Sequence, residues 1–572
     1  MRPDRNDLIT RIGPETPAGK LLRNYWQPVA LVDEFEGLAR PVLPIHVLGE
    51  KFVLFRNSKK QFGLLDRHCP HRQADLAYGR WEDGNLRCVF HGWLFDITGK
   101  CLQTPAEPAG SRLCESVRQR SHPVVDRSGV VFAWLGAGEP SAFPHFDCFT
   151  APDAYTFAFE GYWDCNWLQA LEVGIDPAHA SFLHRFFEDE DPAASYGRQF
   201  RGVPSDAQVP ITKVLREHDN PEIKVEPTHY GMLLVTLRRI DDKQTHGRST
   251  HLVFPQAFVI PMNAEMTISQ WHVPVDDYGC YWYSIFTSFT TPVDKKTMRE
   301  QRLKTYPAPD YKPIFNRDNG WGFNAEQQRS ATYTGMGFDI NIHDQFACES
   351  PGRIVDRTKE HLGSSDKGIL LYRRLLVDAI EKTANGQRTL MMLDAAQAAA
   401  LTGPPAVDGI GPTERWDEYY KQADAARRNR APWAMKAAGD ESRRRSGRPH
   451  PPGHRVARQR NRPLRFRRSA RHLAREERGR RCARCSARKW RRLSQLVPCQ
   501  GHVQQDGVPG VRRARCGTRH TGVRGRGRRA DVCGPRDLAR AKAARSRARG
   551  FSRYRTAARS KRSTHHMLRL IT

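Results

Sequence analysis

The sequence predicts an α+β protein: a small N-terminal β domain, a larger domain that combines an antiparallel sheet with helices, and a basic C-terminal tail expected to be disordered. Three observations lead there. Short apolar runs separated by Gly, Asp and Asn fill residues 44–135, the mark of a compact antiparallel domain. A helical period enters at "NWLQALEVGIDPAHASFLHRFF" and strand-like runs then return. Near residue 436 the composition breaks.

Taken in order, residues 1–43 form an N-terminal segment. Its start, "MRPDRNDLIT", is charged and lacks the apolar core of a secretion signal. Residues 44–140 form the β domain, with "IHVLGEKFVLFRN", "GRWEDGNLRCVFHGWLF" and "GVVFAWLG" as its clearest strands. Residues 141–436 form the larger domain, whose strands are "GMLLVTLRRI", "STHLVFPQAFVIP", "MTISQWHVPV" and "GCYWYSIFTSF". A helix, "DKGILLYRRLLVDAIEKTA", is expected to be capped by Ser365 and ended by Gly386, with residues 369, 370, 375, 376, 379 and 380 on its buried face.

The net charge of +30 suggests a nucleic-acid or membrane partner until it is located. Residues 441–572 hold 38 Arg, 3 Lys and 6 acidic side chains, a net of +35; the first 440 residues carry 51 basic against 56 acidic side chains, a net of −5. The tail, residues 437–572, has one Ile and one Asn and is dominated by Arg, Ala, Gly and Pro. Such a chain cannot bury enough apolar surface to offset its entropy, so it reads as a disordered extension or as the out-of-frame translation of GC-rich DNA. Neither nucleic acid nor a membrane is therefore expected as a partner of the body. No run of about 18 apolar residues could span a bilayer, and a cytoplasmic location is expected.

Of 13 cysteines, eight lie in the body at irregular spacings, and Cys69 and Cys88 stand beside histidines. The stretch "CPHRQADLAYGRWEDGNLRCVFHGW" has the pattern C-x-H-x16-C-x2-H, which gives Cys69, His71, Cys88 and His91. Zinc modules usually pair Cys with Cys and His with His within a clasp. Mixed clasps suit a binuclear cluster with both thiolates on one iron and both imidazoles on the other, the Rieske [2Fe-2S] arrangement.

The larger domain offers Asp176, His179 and His184 within one helical stretch. Asp176 and His179, three apart, would share a helical face. His179 and His184, five apart, stand about 140° around an ideal helix, so joint ligation of one ion requires a bulge or break between them. Two histidines and one carboxylate are the ligands of non-haem Fe(II) oxygenases, which leave open positions for O2. The carboxylate need not be local.

Together with "GKLLRNYWQPV" and "ESPGRIVDRTKEHLGSSD", these motifs resemble the oxygenase component (alpha subunit) of Rieske non-haem iron aromatic ring-hydroxylating oxygenases of the phthalate 4,5-dioxygenase type, over residues 15–436. The resemblance implies that His179, His184 and Asp344 hold mononuclear Fe(II), with Asp339 and Asp356 as fallbacks for the third ligand. This chain has "HD" and "ESPG" where the family usually has "QD" and "ESQG" or "ESMG", and Gln73 where a glycine is usual. Asp176 is implied to bridge the iron histidine and a Rieske histidine of an adjacent subunit, by position His91. Such a bridge requires a ring-shaped oligomer, most simply a homotrimer.

The implied activity is aromatic compound catabolism: mono- or dioxygenation, or O-demethylation, of a phthalate-, benzoate- or methoxybenzoate-type acid. O2 is the co-substrate, and NAD(P)H electrons arrive through a separate flavin and iron-sulfur reductase. A substrate carboxylate needs arginine partners, and Arg201 and Arg238 are the leading candidates, followed by Arg198 and Arg239. Asn166, Gln169 and Glu172 could support the iron site or simply pack. Other readings are an electron-transfer Rieske protein without oxygenase activity, an oxygenase of a non-aromatic substrate, and nucleic-acid binding through the tail.

Overall fold

The computed structural model describes residues 1–188, 211–262 and 265–434. Arg198, Arg201 and the tail from 437 lie outside the described residues.

The expected β architecture at the N-terminal end and the expected combination of antiparallel sheet and helices after it are both present. In the first domain Val42–Val47 and Glu50–Arg56 form a hairpin whose turn residues, Leu48 and Gly49, have φ of 52° and 76°. Two left-handed residues match a tight turn to the twist of its strands. These strands continue through Phe62–Asp66 to Ser121–His122, while Arg80–Glu82, Asn85–Arg87, Leu94–Phe95 and Cys101–Gln103 make a second antiparallel sheet. A third sheet draws in the N-terminal segment: Gln27–Leu31 pairs antiparallel with Val130–Ala133.

The first domain has its own core, in which Val53, Phe55, Leu65, Leu76, Leu86 and Phe95 surround Cys69 and Cys88. The larger core runs from Ile9, Leu21 and Leu22 through Val130–Ala133 into the second domain. There an antiparallel sheet runs in the order Thr156–Trp163, Cys280–Ser288, Met266–Pro274, Ala257–Pro261, Gln244–Val253, Gly231–Arg239, Glu222–Thr228, and Asp408–Pro412 joins Gln244–Val253. Gly231–Arg239 and Cys280–Ser288 are buried along nearly their whole length, on both faces, which is why their sequences are rich in apolar and aromatic residues without alternation.

Two helices frame the candidate site: Trp167–Gly174, which lies against this sheet and leads into the histidine segment, and Ile340–Glu349, which packs on the first and carries Asp344. The first is capped by Asn166, whose side chain accepts from Leu168 N at 3.1 Å. It ends at Gly174, where a Cβ would come within 2.0 Å of the Phe258 ring. Pro177 prevents its early resumption. Two expectations are therefore corrected: Asp176 shares no helical face with His179 but lies in the break, and the break comes before His179 rather than between the histidines, because a four-residue helix, Ala180–Leu183, joins them with His179 and His184 at its ends.

The long helix is observed at Lys367–Ala384, and Gly386, at φ 68°, follows its end as expected. Ser365 is not its cap; it lies in a 3-10 turn, Ser364–Asp366, that leads into the helix. Ile369, Leu376, Ala379 and Ile380 are buried, but Leu370 is exposed, and Tyr372 and Arg373 take the buried stripe instead. No helix among the described residues is long and apolar enough to cross a membrane.

Candidate active site

Cys69 and His71 lie on one loop of the first domain, Cys88 and His91 on another. The cysteines are buried and their thiols face each other. The imidazoles face each other at a ring separation of 4.4 Å, and His71 also stacks on Trp93 at 4.4 Å with 4° between planes. The donors thus form two like pairs, thiol with thiol and imidazole with imidazole, which fits a binuclear cluster. The loop is pinned by Cys69 N donating to Ala74 O and Gln73 N to Cys69 O, each 2.9 Å. Gln73 has φ 60°, a conformation that costs most side chains but not glycine, so the unusual residue stands where the backbone favours glycine.

In the second domain, His179, His184 and Asp344 each aim a ligand atom at one point, with all three atoms within 4.8 Å of one another. Nε2 of His179 and Nε2 of His184 are 3.2 Å apart, and Asp344 Oδ1 is 3.6 and 3.2 Å from them. Asp344 Oδ1 is buried and makes no hydrogen bond. Burial raises the Asp344 carboxyl, but His184 and then His179 more than offset this and leave it below the usual carboxylate range. Lone pairs converging without a donor between them are the chemistry of a cation site, and two imidazoles with one carboxylate fit Fe(II).

Buried side chains fix this arrangement. Gln169, on the first site helix, donates to the carbonyls of Cys348 (2.6 Å) and Gly352 (2.8 Å) and accepts from Val355 N (2.9 Å), tying the histidine segment to the helix of Asp344. Glu349 accepts from Asp164 N (2.9 Å) and Trp321 Nε1 (2.7 Å). Glu172 pairs with Arg357 (2.8 Å) and Arg373 (2.6 Å), all buried. Asn166, Gln169 and Glu172 therefore position helices and do not reach the convergence point. Asp339 caps the helix of Asp344, and Asp356 caps a separate 3-10 turn, so neither fallback is drawn to the histidines.

The three ligand residues border a cavity of about 210 Å³, walled by Val173, Phe186, Leu215, Phe258, Ile260 and Ile268. A second, open depression of about 700 Å³ is bordered by His179, Phe182, Trp321, Phe323, Tyr333 and Phe346.

Residues 25–122 match the family described as Rieske [2Fe-2S] domain, and residues 134–431 match LigXa C-terminal domain like, more than half of the chain. The phthalate 4,5-dioxygenase oxygenase subunit of Pseudomonas putida is 30% identical over 407 residues, 68% of this chain and 88% of that protein. The chain belongs to the Rieske oxygenases. The 5,5'-dehydrodivanillate O-demethylase oxygenase subunit of Sphingobium sp. (strain NBRC 103272 / SYK-6) is also 30% identical, over 67% of this chain and 81% of that protein. So is the tert-butanol monooxygenase / tert-amyl alcohol desaturase oxygenase subunit of Aquincola tertiaricarbonis, over 65% and 76%.

Within this Rieske oxygenase the cavity also holds Arg238, 2% exposed. Its Nη2 donates to Ser181 Oγ at 3.1 Å, its Nε is buried without a partner, and no described carboxylate pairs with it. Burial, and then Arg248, pull its guanidinium down to about 10. Arg248 is paired with Asp408 at 2.5 Å. Arg239, exposed at the end of its strand, does not line the cavity.

Asp176 borders the cavity, but its main-chain carbonyl, not its carboxylate, meets His179 Nδ1; the carboxylate accepts from Ala178 N at 2.9 Å. Sequence reasoning missed His343, which is fully buried with Nδ1 3.5 Å from Nδ1 of His184 and Nε2 3.0 Å from Gly337 O. Burial, and then His184, push it down to about 4. The signal was the "HD" that replaces the family's usual "QD".

Proposed function

We propose that this chain is the terminal oxygenase component of a multi-component enzyme that hydroxylates or O-demethylates a single-ring aromatic acid. The observation that carries the reading is the convergence of His179, His184 and Asp344 on a small, mainly apolar cavity that also holds a buried arginine with no carboxylate partner among the described residues.

Cys69, Cys88, His71 and His91 would hold the [2Fe-2S] cluster, which sits in the domain that residues 44–140 and the strand Gln27–Leu31 build. His179, His184 and Asp344 would hold mononuclear Fe(II) in the domain spanning 141–436. When bound, these groups supply electron transfer and O2 activation, and no side chain need act as a nucleophile. The protein's own contribution is to enclose the substrate, exclude water and fix its orientation.

A buried guanidinium with only neutral partners among the described residues is costly, and a substrate carboxylate would relieve that cost with paired hydrogen bonds. A cavity of about 210 Å³ suits one ring with one or two substituents, since a site of about 150 Å³ already holds benzene. Arg238 also favours an anionic substrate over the neutral alcohol in the name of the third relative. Arg201 remains a second candidate anchor from the sequence.

Electrons would come from an NAD(P)H-dependent flavin and iron-sulfur reductase, in the cytoplasm. A homotrimer would bring the Rieske tip of one subunit, where Tyr78 is 74% and Phe90 52% exposed, to the aromatic depression beside His179 of the next. Asp176 and His91 would lie at that contact.

The test is anaerobic reduction followed by a single turnover with a panel of benzoates, phthalates, methoxylated aromatic acids and their uncharged analogues. Oxygenated or demethylated product from a single-ring acid, with little from its amide or alcohol analogue, is expected. Equal turnover of charged and uncharged analogues would remove Arg238 from the account.

A further inference from the structure

The ring of His184 has two nitrogens with different neighbours. Nε2 faces His179 and Asp344, while Nδ1 faces Nδ1 of His343 at 3.5 Å. The far side of His343 settles who donates. Its Nε2 lies 3.0 Å from the carbonyl oxygen of Gly337, an atom that only accepts, so the His343 proton is on Nε2 and its Nδ1 offers a lone pair. The contact between the two Nδ1 atoms is then favourable only when His184 carries its own proton on Nδ1. That tautomer leaves the His184 Nε2 lone pair free, pointing at His179 Nε2 and Asp344 Oδ1. With the proton on Nε2 instead, two lone pairs would face each other in a buried site.

The geometry points to His343 as a positioning residue for the mononuclear metal site: it accepts a hydrogen bond from His184 and so fixes the tautomer and orientation in which that ring can ligate. The inference rests on the proposed iron site and adds the residue that prepares one of its ligands. His179 is held differently, by the main-chain carbonyl of Asp176 on its Nδ1. One ligand thus depends on a backbone atom that no substitution removes, the other on a side chain. Hydrogen-bond partners of ligating imidazoles typically change metal affinity or activity by about 10–100-fold when lost.

His343 also packs against Phe186, with ring centroids 6.4 Å apart, so a test must separate shape from hydrogen bonding. His343→Phe keeps a ring but removes the acceptor; His343→Gln restores an acceptor, the amide oxygen. The measurement is the rate at which the full-length, iron-loaded protein gives up mononuclear Fe(II) to a colorimetric ferrous chelator under anaerobic conditions, with the Rieske absorbance and thermal midpoint read on the same samples.

His343→Phe is expected to release iron about 10–100-fold faster than wild type with the Rieske absorbance unchanged. His343→Gln should stay much closer to wild type. Equal release from all three proteins would overturn the proposal, and so would equally fast release from both variants, which would make the role one of packing. A wild-type chain that takes up no iron beyond its cluster would defeat the iron-site reading itself, a different outcome from wild-type retention that His343→Phe leaves unchanged.

Discussion

The two donor sets are built on opposite plans. The Cys69/His71/Cys88/His91 set stands on loops of a small β domain, with its thiols buried, His71 exposed and His91 half-buried beside the exposed Phe90. The His179/His184/Asp344 set stands on or at the ends of short helices, with His184 buried and the other two part-buried, and all three border a mainly apolar cavity. On the proposed roles, an electron relay would have to reach a partner's surface, which the exposure of His71 suits, and a site that activates O2 beside a substrate would have to exclude water, which the burial of His184 suits. The difference also sets how each is supported: the first by local backbone hydrogen bonds, the second by side chains that reach across long stretches of sequence, such as Gln169 to Cys348 and Glu172 to Arg357.

The sharpest way to break this contrast is His184→Ala. Loss of mononuclear iron and of more than about 99% of turnover is expected, while the Rieske absorbance persists, read as iron per chain and product formed. Glu172→Ala attacks the long-range support. It removes the buried carboxylate shared by Arg357 and Arg373 and leaves Glu360 as their remaining acidic partner, and chemical denaturation should show a loss of about 3 kcal/mol.

A pH effect is expected where the two domains meet. Glu34, just after the strand Gln27–Leu31, and Glu160, in the strand Thr156–Trp163, face each other with Tyr283 beside Glu160. Burial pushes Glu34 up to about 7 and Glu160 well above the ordinary value of 4.5, with Glu34 adding repulsion. A raised carboxyl value means that the protonated pair's contribution is complete below about 4.5 and is lost as pH rises through 7. The thermal midpoint should therefore fall from pH 5 to pH 8, and Glu160→Gln should flatten that fall by about 2 °C or more. The smallest effect is at the Rieske loop: Gln73→Gly removes a left-handed non-glycine residue and should shift stability by no more than about 1 kcal/mol, in the stabilising direction.

Much of this was legible in the sequence because ligand chemistry leaves short, fixed spacings. The two mixed clasps, the two histidines after a carboxylate, and the strands of both domains could be read directly. The five-residue spacing predicted a break between His179 and His184, but the chain breaks before His179, at 175–179, and one helical turn, Ala180–Leu183, runs between them; Pro177 is visible in the sequence, whereas the close approach of Gly174 to Phe258 is a tertiary contact that no local pattern reveals. The same limit hid the work of Gln169 and Glu172, whose partners lie 179 or more residues away. Leu370 was misplaced because apolar residues alone were followed: 369, 372, 373, 376 and 380 keep the helical period, but Arg373 is buried through its pairs with Glu172 and Glu360, which lie outside the helix; Ser365 was taken as the cap because the 3-10 turn that leads into the helix leaves no distinct pattern. His343 left only a departure from a familiar dipeptide, and its meaning needed the neighbouring ring.

The most direct test of the central claim, that electrons stored in the surface-facing cluster are spent at the enclosed His/His/Asp site, is rapid mixing of anaerobically reduced protein and aromatic acid with O2. Wild type and Asp344→Ala would be followed in parallel by Rieske absorbance and product. In wild type the oxidised absorbance should return together with product; in Asp344→Ala the cluster should stay reduced over the same period and no product should form. Reoxidation and product formation in Asp344→Ala at the wild-type rate would contradict the account.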